Sequence, residues 1–127
     1  MIVVDASAAV LALLNDGDAR RVLASETVLV PHLVDAEVAQ ALPGHARRGR
    51  VGPDDGQAAL ARWARLGVRR FAITGLLSRI WELHDNLSAY DATYVALAEA
   101  FGCQLVTADA RLAHAPGPSC TVTVVRR

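Results

Sequence analysis

The sequence contains no lysine: its thirteen basic residues are all arginine, matched by thirteen acidic ones, so the formal charge is zero at neutral pH. Without a net basic field, nothing in the overall charge advertises a polyanionic partner, and affinity for one has to come from a local patch. The arginine bias has a compositional explanation beside the abundant Ala and Val, although a guanidinium fork also suits phosphate and carboxylate better than an ammonium does. Cysteine is scarce. Cys103 and Cys120 each open an apolar stretch with no CxxC or Cys/His spacing, which excludes a zinc site and leads us to expect reduced core thiols. Long apolar runs are missing as well. The longest, Ala8 to Leu14, is too short to span a bilayer, and the chain opens directly on MIVVD, so a cytoplasmic protein with no membrane partner is expected. No strand-like segment leads into a glycine-rich loop, which excludes Rossmann and P-loop nucleotide sites. Repeats and low-complexity tracts are absent, and 127 residues suit one domain over 1–127 with a core that needs no disulfide.

What is present alternates between two periodicities. Ile2 to Val4 form an apolar run ending in Asp5, as a strand buried on both faces does, and Ser7 to Leu14 continue as a helix. A second helix is predicted around Ala19 to Ala24 and a second strand over Thr27 to Val30, closed by Pro31. From Leu33 the spacing of Val34, Val38, Ala41 and Leu42 predicts a helix, which Pro43-Gly44 should kink or break before the Arg-rich HARRGRVG stretch. Pro53-Asp54-Asp55 starts another helix that runs to Gly67, and Arg70 to Ile73 suggest a short strand. Helices over Leu76 to Leu87 and Tyr90 to Phe101, then strands over Gln104 to Thr107 and Thr121 to Val125, complete the chain. The alternation predicts an α/β fold with a mostly parallel sheet between helices.

Four carboxylates stand out in that frame. In open α/β sheets the working crevice lies beyond the carboxyl ends of the strands, where strand order reverses. Asp5 closes the first strand, and Asp109 follows Leu105-Val106-Thr107 by two residues, so both can emerge at that edge. Glu37 and Asp91 lie in the first turns of their helices, beside the apolar stripe rather than opposite it. Carboxylates gathered in a poorly solvated crevice cannot all stay ionised unless a cation sits among them. With no clustered His or Cys, the cation suited to oxygen ligands is Mg²⁺ or Mn²⁺, and the chemistry it supports is phosphodiester hydrolysis. Ser7 and Thr107 could fix a carboxylate or a water beside the metal.

Each of these residues also has a plainer explanation. Asp5 could cap the first helix, Asp109 the short ARLAH turn, and Ser88-Ala-Tyr-Asp91 fits a capping box. Glu37 could be an ordinary exposed helical residue. Those roles account for the positions singly, not for their convergence. Asp35 is expected to be an N-terminal-turn charge rather than a ligand. The four histidines show no metal or catalytic spacing, and Trp63 and Trp81 sit at positions that suit packing. Arg47, Arg48, Arg50 and Arg111 are candidates for RNA contact, although cations at a solvated helix end also complement its dipole.

Four segments carry a resemblance: VVDASA around Asp5, PHLVDAEVAQAL around Glu37, LSAYDATYVALAEAFG around Asp91 and LVTADARL around Asp109. In order and approximate spacing they resemble the PIN-domain nucleases and, within them, the VapC-type toxins of bacterial toxin-antitoxin pairs. The resemblance implies a PIN-like three-layer sandwich, a parallel sheet with helices on both faces. It also implies a Mg²⁺- or Mn²⁺-dependent endoribonuclease, homodimerisation, and inhibition in a higher assembly by a cognate VapB antitoxin whose C-terminal segment occupies the nuclease groove. Carried over residue by residue, it makes Asp5, Asp91 and Asp109 metal ligands and Glu37 a ligand or water-positioning group, with Thr107 the hydroxyl neighbour of the site. Pro43-Gly44 departs from the smooth basic helix usual there. A receiver-type phosphoacceptor would need a lysine near its end, and a haloacid-dehalogenase-like phosphatase a second Asp at the position of Ser7. The remaining rival is a PIN-like binding or scaffold module without turnover.

Overall fold

A computed structural model describes residues 1–126, with the side chain of Pro53 left aside. Strand β1 (Ile2–Val4) leads into helix α1 (Ala6–Leu14) and then α2 (Asp18–Ser25). Strand β2 (Val28–Pro31) precedes α3 (Leu33–Arg47) and α4 (Pro53–Arg65), and strand β3 (Arg69–Phe71) is followed by a 3₁₀ turn (Thr74–Leu76) and α5 (Leu77–Glu82). Helix α6 (Ala89–Phe101), strand β4 (Gln104–Thr107), helix α7 (Ala110–His114) and strand β5 (Val122–Val124) follow. The strands form one sheet in the order β3-β2-β1-β4-β5, and every pairing is parallel.

The apolar run of β1 is explained by its place. It lies between β2 and β4, pairing Val3 with Leu29 on one side and with Leu105 on the other, and its three residues are fully buried. Helix α6 packs on β1, β2 and β4 and buries Ala92 through Ala98, an apolar run that suits a helix pressed on a sheet. It ends where Gly102 turns left-handed at φ +63°, a conformation that costs glycine nothing. Helices α2, α3 and α4 all pack against α1, whose last carbonyls are closed by arginines. Arg20 donates to the oxygens of Ala12 and Leu13 at 2.8 and 3.1 Å, and Arg62 donates to Leu13 O at 3.2 Å. Asp35 is the tie between α3, α4 and β3, accepting from Trp63 Nε1 at 2.7 Å and from both Arg70 nitrogens, Nε at 2.7 Å and Nη2 at 3.0 Å.

Several expectations are corrected. Pro43 does not break α3, which runs on to Arg47. Proline removes the donor to the Ala39 carbonyl, but Ala39 and Pro43 are both exposed, so water can replace it. The helix expected over Leu76 to Leu87 stops at Glu82, and turns carry the chain to the Ser88 cap of α6. Trp63 is buried, but Trp81 is 70% exposed and stacks on His84, because short α5 turns Ile80 inward and leaves Leu77 and Trp81 outside. Cys103 and Cys120 are free but only half-buried, packed against the core just before β4 and β5 rather than within it. Among the described residues no helix is long and apolar enough to cross a membrane.

Candidate active site

The order of the sheet places a reversal between β1 and β4: the chain builds outward from β1 through β2 to β3, then returns to add β4 and β5 on the other side. Asp5 leaves β1 at this point, its backbone N–H donating to Val106 O at 3.1 Å. It caps α1, accepting from the Ala8 N–H at 3.0 Å, and it is buried. The same Oδ1 accepts from Ser7 Oγ at 2.7 Å, and Oδ2 accepts from Thr107 Oγ1 at 2.5 Å. Thr107 is fully buried and also accepts the Asp109 N–H at 3.0 Å, while Ser7 Oγ accepts the Ala108 N–H at 2.9 Å. The two hydroxyls thereby lock the end of β4 to the Asp5 carboxylate. Burial pushes the Asp5 carboxyl above its usual range, with Asp91's charge adding to it, and the three hydrogen bonds pull the other way.

Glu37 projects from α3 toward the hydroxyl of Tyr94 on α6, which donates to its Oε1. Burial, followed by repulsion from Asp91 and Asp5, raises Glu37 despite the Tyr94 bond. Tyr94 is itself buried and raised, chiefly by desolvation and then by Glu37, so it keeps its proton and remains a donor. Asp91 stands in the first turn of α6, where its backbone N–H is accepted by Ser88 Oγ at 3.1 Å. Burial and then the charge of Asp109 raise it, opposed by Ser88 and by the positive charge of Arg111. Three of the four carboxylates thus repel one another across a partly desolvated crevice, the electrostatic condition that a bound cation relieves.

Asp109 behaves differently. It caps α7, accepting the Arg111 N–H at 3.0 Å, and the Arg111 guanidinium spans both of its oxygens, Nε to Oδ1 at 3.1 Å and Nη2 to Oδ2 at 2.9 Å. That bond holds Asp109 below the usual carboxylate range. Among the described residues, no three His, Cys, Asp or Glu side chains close tightly enough to enclose a metal. The donor set nevertheless fits a hard divalent ion, which binds through one or two carboxylates and keeps several waters.

Of the arginines expected to meet RNA, Arg50 lines an open groove of about 540 Å³ together with Ser7, Leu14, Glu37, Ala41 and His45. Arg111 lines a smaller hollow of about 180 Å³ with Ser88, Asp91 and Asp109. Arg47 faces a separate cavity between α3 and α4, and Arg48 ends α3 close to Gly44, so neither lines the crevice. Two contacts at the candidate site escape a reading of the sequence. Tyr94 holds Glu37 across 57 positions of chain, and the only signal was that a buried tyrosine needs a partner for its hydroxyl. The fork of Arg111 on Asp109 depends on the backbone turn between them.

Comparison with known proteins follows the same residues. Residues 2–118 match the PIN domain. The chain is 58% identical over 127 residues to Ribonuclease VapC9 of Mycobacterium tuberculosis (strain ATCC 25618 / H37Rv), covering 100% of both chains. Among solved structures, Mycobacterium tuberculosis VapC20, described as a sarcin-ricin loop cleaving toxin, superposes with a TM-score of 0.65 at 26% identity over 90% of this chain and 94% of that one. A chain of VapBC2 from Rickettsia felis, solved bound to a DNA fragment from their promoter, gives a TM-score of 0.70 over 99% of this chain and 100% of its own; at 16% identity this likeness is one of fold.

Proposed function

This chain belongs to the PIN-domain family, and we propose that it hydrolyses RNA at the crevice of Asp5, Glu37, Asp91 and Asp109 with the aid of Mg²⁺ or Mn²⁺. It is a ribonuclease of the VapC type, the toxic component of a toxin-antitoxin pair neutralised by a VapB antitoxin. The observation that carries the proposed site is the buried Asp5 carboxylate, fixed by Ser7 and Thr107 where strand order reverses, with three more carboxylates from α3, α6 and the β4–α7 turn around it.

Asp5, Asp91 and Glu37 would hold the ion, with Asp109 joining once its oxygens are free. A divalent ion bound there supplies positive charge for the phosphodiester and makes water acidic enough to attack at neutral pH. The protein's own part is orientation. Ser7 and Thr107 fix both oxygens of Asp5, and Tyr94 fixes one oxygen of Glu37, leaving its other oxygen for the ion or for a water on it. Arg50 lines the groove beside Glu37 and Arg111 the hollow beside Asp91 and Asp109, where each can hold part of a phosphate chain crossing the crevice.

The groove lined by Leu11, Leu14, Ala41 and Arg50 supports the reading that a segment of the antitoxin follows the path of RNA. Leu77 and Trp81, exposed one turn apart on α5, support association with a second copy. We place the activity in the cytoplasm, as a single domain over 1–127. The deciding experiment is cleavage of a mixed RNA pool by purified protein with Mg²⁺ or Mn²⁺, against Asp91→Asn and against chelator. Cleavage is expected only in the metal-loaded native protein. Cleavage that survives chelation or the substitution overturns the mechanism, and no cleavage of any RNA returns the chain to the scaffold reading.

A further inference from the structure

We propose that Arg111 is an intramolecular latch on the metal site: in the RNA-free protein its guanidinium occupies Asp109, and an arriving phosphate chain draws it away, freeing Asp109 for the ion. The inference rests on the metal-dependent nuclease reading and adds to it the order in which metal and substrate assemble.

The geometry is asymmetric among the carboxylates. Asp5 is held by two neutral hydroxyls and one N–H, two of these bonds on Oδ1 and one on Oδ2, which leaves a lone pair on Oδ2 and brings no positive charge to the carboxylate. Asp109 is held by a full positive charge that spans both oxygens, with the Arg111 N–H on Oδ1 as well. The number of bonds is the same at the two carboxylates, but at Asp109 two of them come from a guanidinium, whose charge lies where a cation would approach and repels it. The positive charge also reaches Asp91, across the small hollow that both residues line. It therefore opposes metal at two of the four ligands.

The latch is built to open. The Arg111 side chain is 92% exposed, and among the described residues Asp109 is the one acidic group with which it forms an ion pair. Exposed pairs are held weakly and are screened by salt, while a phosphate offers the same planar fork an equal or better partner. Removing the side chain leaves the backbone bond from residue 111 to Asp109, so α7 keeps its cap. The pair also lies at the rim of the crevice, where a phosphate chain meets the arginine before it meets the buried Asp5.

The test is Mn²⁺ binding followed by electron paramagnetic resonance, in the absence of turnover, for the native chain, Arg111→Ala, Arg111→Lys and Asp91→Asn. Arg111→Ala should bind Mn²⁺ roughly tenfold more tightly than the native chain, since a unit charge a few ångströms from the ion has gone. Arg111→Lys, which keeps the charge but not the fork, should fall between. A mixed-sequence single-stranded DNA 20-mer, used as a phosphate-chain probe and followed by anisotropy, should tighten Mn²⁺ binding to the native chain and leave Arg111→Ala unchanged. Arg111→Ala should bind the probe more weakly, with a salt slope reduced by about one. Unchanged or weaker Mn²⁺ binding by Arg111→Ala overturns the latch while leaving the nuclease reading intact. A probe that does not bind, or does not tighten native Mn²⁺ binding, overturns the release step. Failure of the native chain to bind Mn²⁺ any better than Asp91→Asn overturns the metal site and the latch together.

Discussion

Thr107→Val removes the hydroxyl that positions the central carboxylate. The side chain is fully buried, and its hydroxyl donates to Asp5 Oδ2 at 2.5 Å while accepting the Asp109 N–H at 3.0 Å. Valine has nearly the same shape and suits a strand, so the substitution opens no cavity and removes only the hydroxyl. A hydrogen bond to a charged group is worth about 1.5–3 kcal/mol, and that is the least loss of stability expected near pH 7 in metal-free protein, since the Asp109 N–H loses its acceptor as well. For a chain of 127 residues this corresponds to a fall in Tm of roughly 6–11 °C. The bond favours the ionised form of Asp5, so without it the carboxyl rises further above its usual range. The gap between native and variant should therefore be widest above the folded pKa of Asp5 and narrow on acidification, where the bond is a neutral one worth about 0.5–1.5 kcal/mol. RNA cleavage should fall by about 10–100-fold, as for other residues that orient a metal ligand. Urea titrations at two pH values give the first quantity and initial cleavage rates the second, with Thr107→Ser, which keeps the hydroxyl, as the active control. A loss below about 0.5 kcal/mol at neutral pH, or one that does not change with pH, refutes the assigned role.

Three further outcomes are expected. Tyr94→Phe keeps the buried ring but strips Glu37 of its donor, so stability should fall by about 1 kcal/mol, and metal affinity measured by calorimetry should fall by roughly tenfold or more. Asp35→Ala leaves the buried Trp63 indole N–H without an acceptor and frees Arg70, costing about 1–3 kcal/mol. Asp35→Asn, which keeps an acceptor, should cost less in denaturation followed by tryptophan fluorescence. Asp5, Glu37 and Asp91 all hold their protons more tightly than the ordinary values of 3.8 to 4.5, so their contribution is full below that range and is lost as pH rises through the raised values. Metal-free native protein should lose stability across that window more steeply than Asp5→Asn, in denaturation under chelator. Parallel curves would contradict the electrostatic account of the crevice.

Much of this molecule is legible along the chain because its signals are local. An apolar run ending in Asp5, a helix capped by Ser88 and stopped by Gly102, and the strand Gln104–Thr107 each report the chemistry of neighbouring residues. Parallel order follows from the alternation of strand and helix. The positions of Asp5 and Asp109 beyond strand ends are legible on the same grounds, as are their helix caps. Pro43 and Trp81 misled because each depends on which side of a helix meets solvent.

The sequence by itself determined the alternation of elements, the identity of the carboxylates and the family to which they point. Only the tertiary structure decided how those carboxylates differ. Asp5 is buried under two hydroxyls, one of them from a strand 102 residues away, Glu37 is held by a tyrosine from another helix, and Asp109 is closed by an arginine fork. These differences arise from burial and from contacts between distant segments, and a carboxylate's charge, orientation and readiness for a metal depend on those surroundings rather than on the letters beside it.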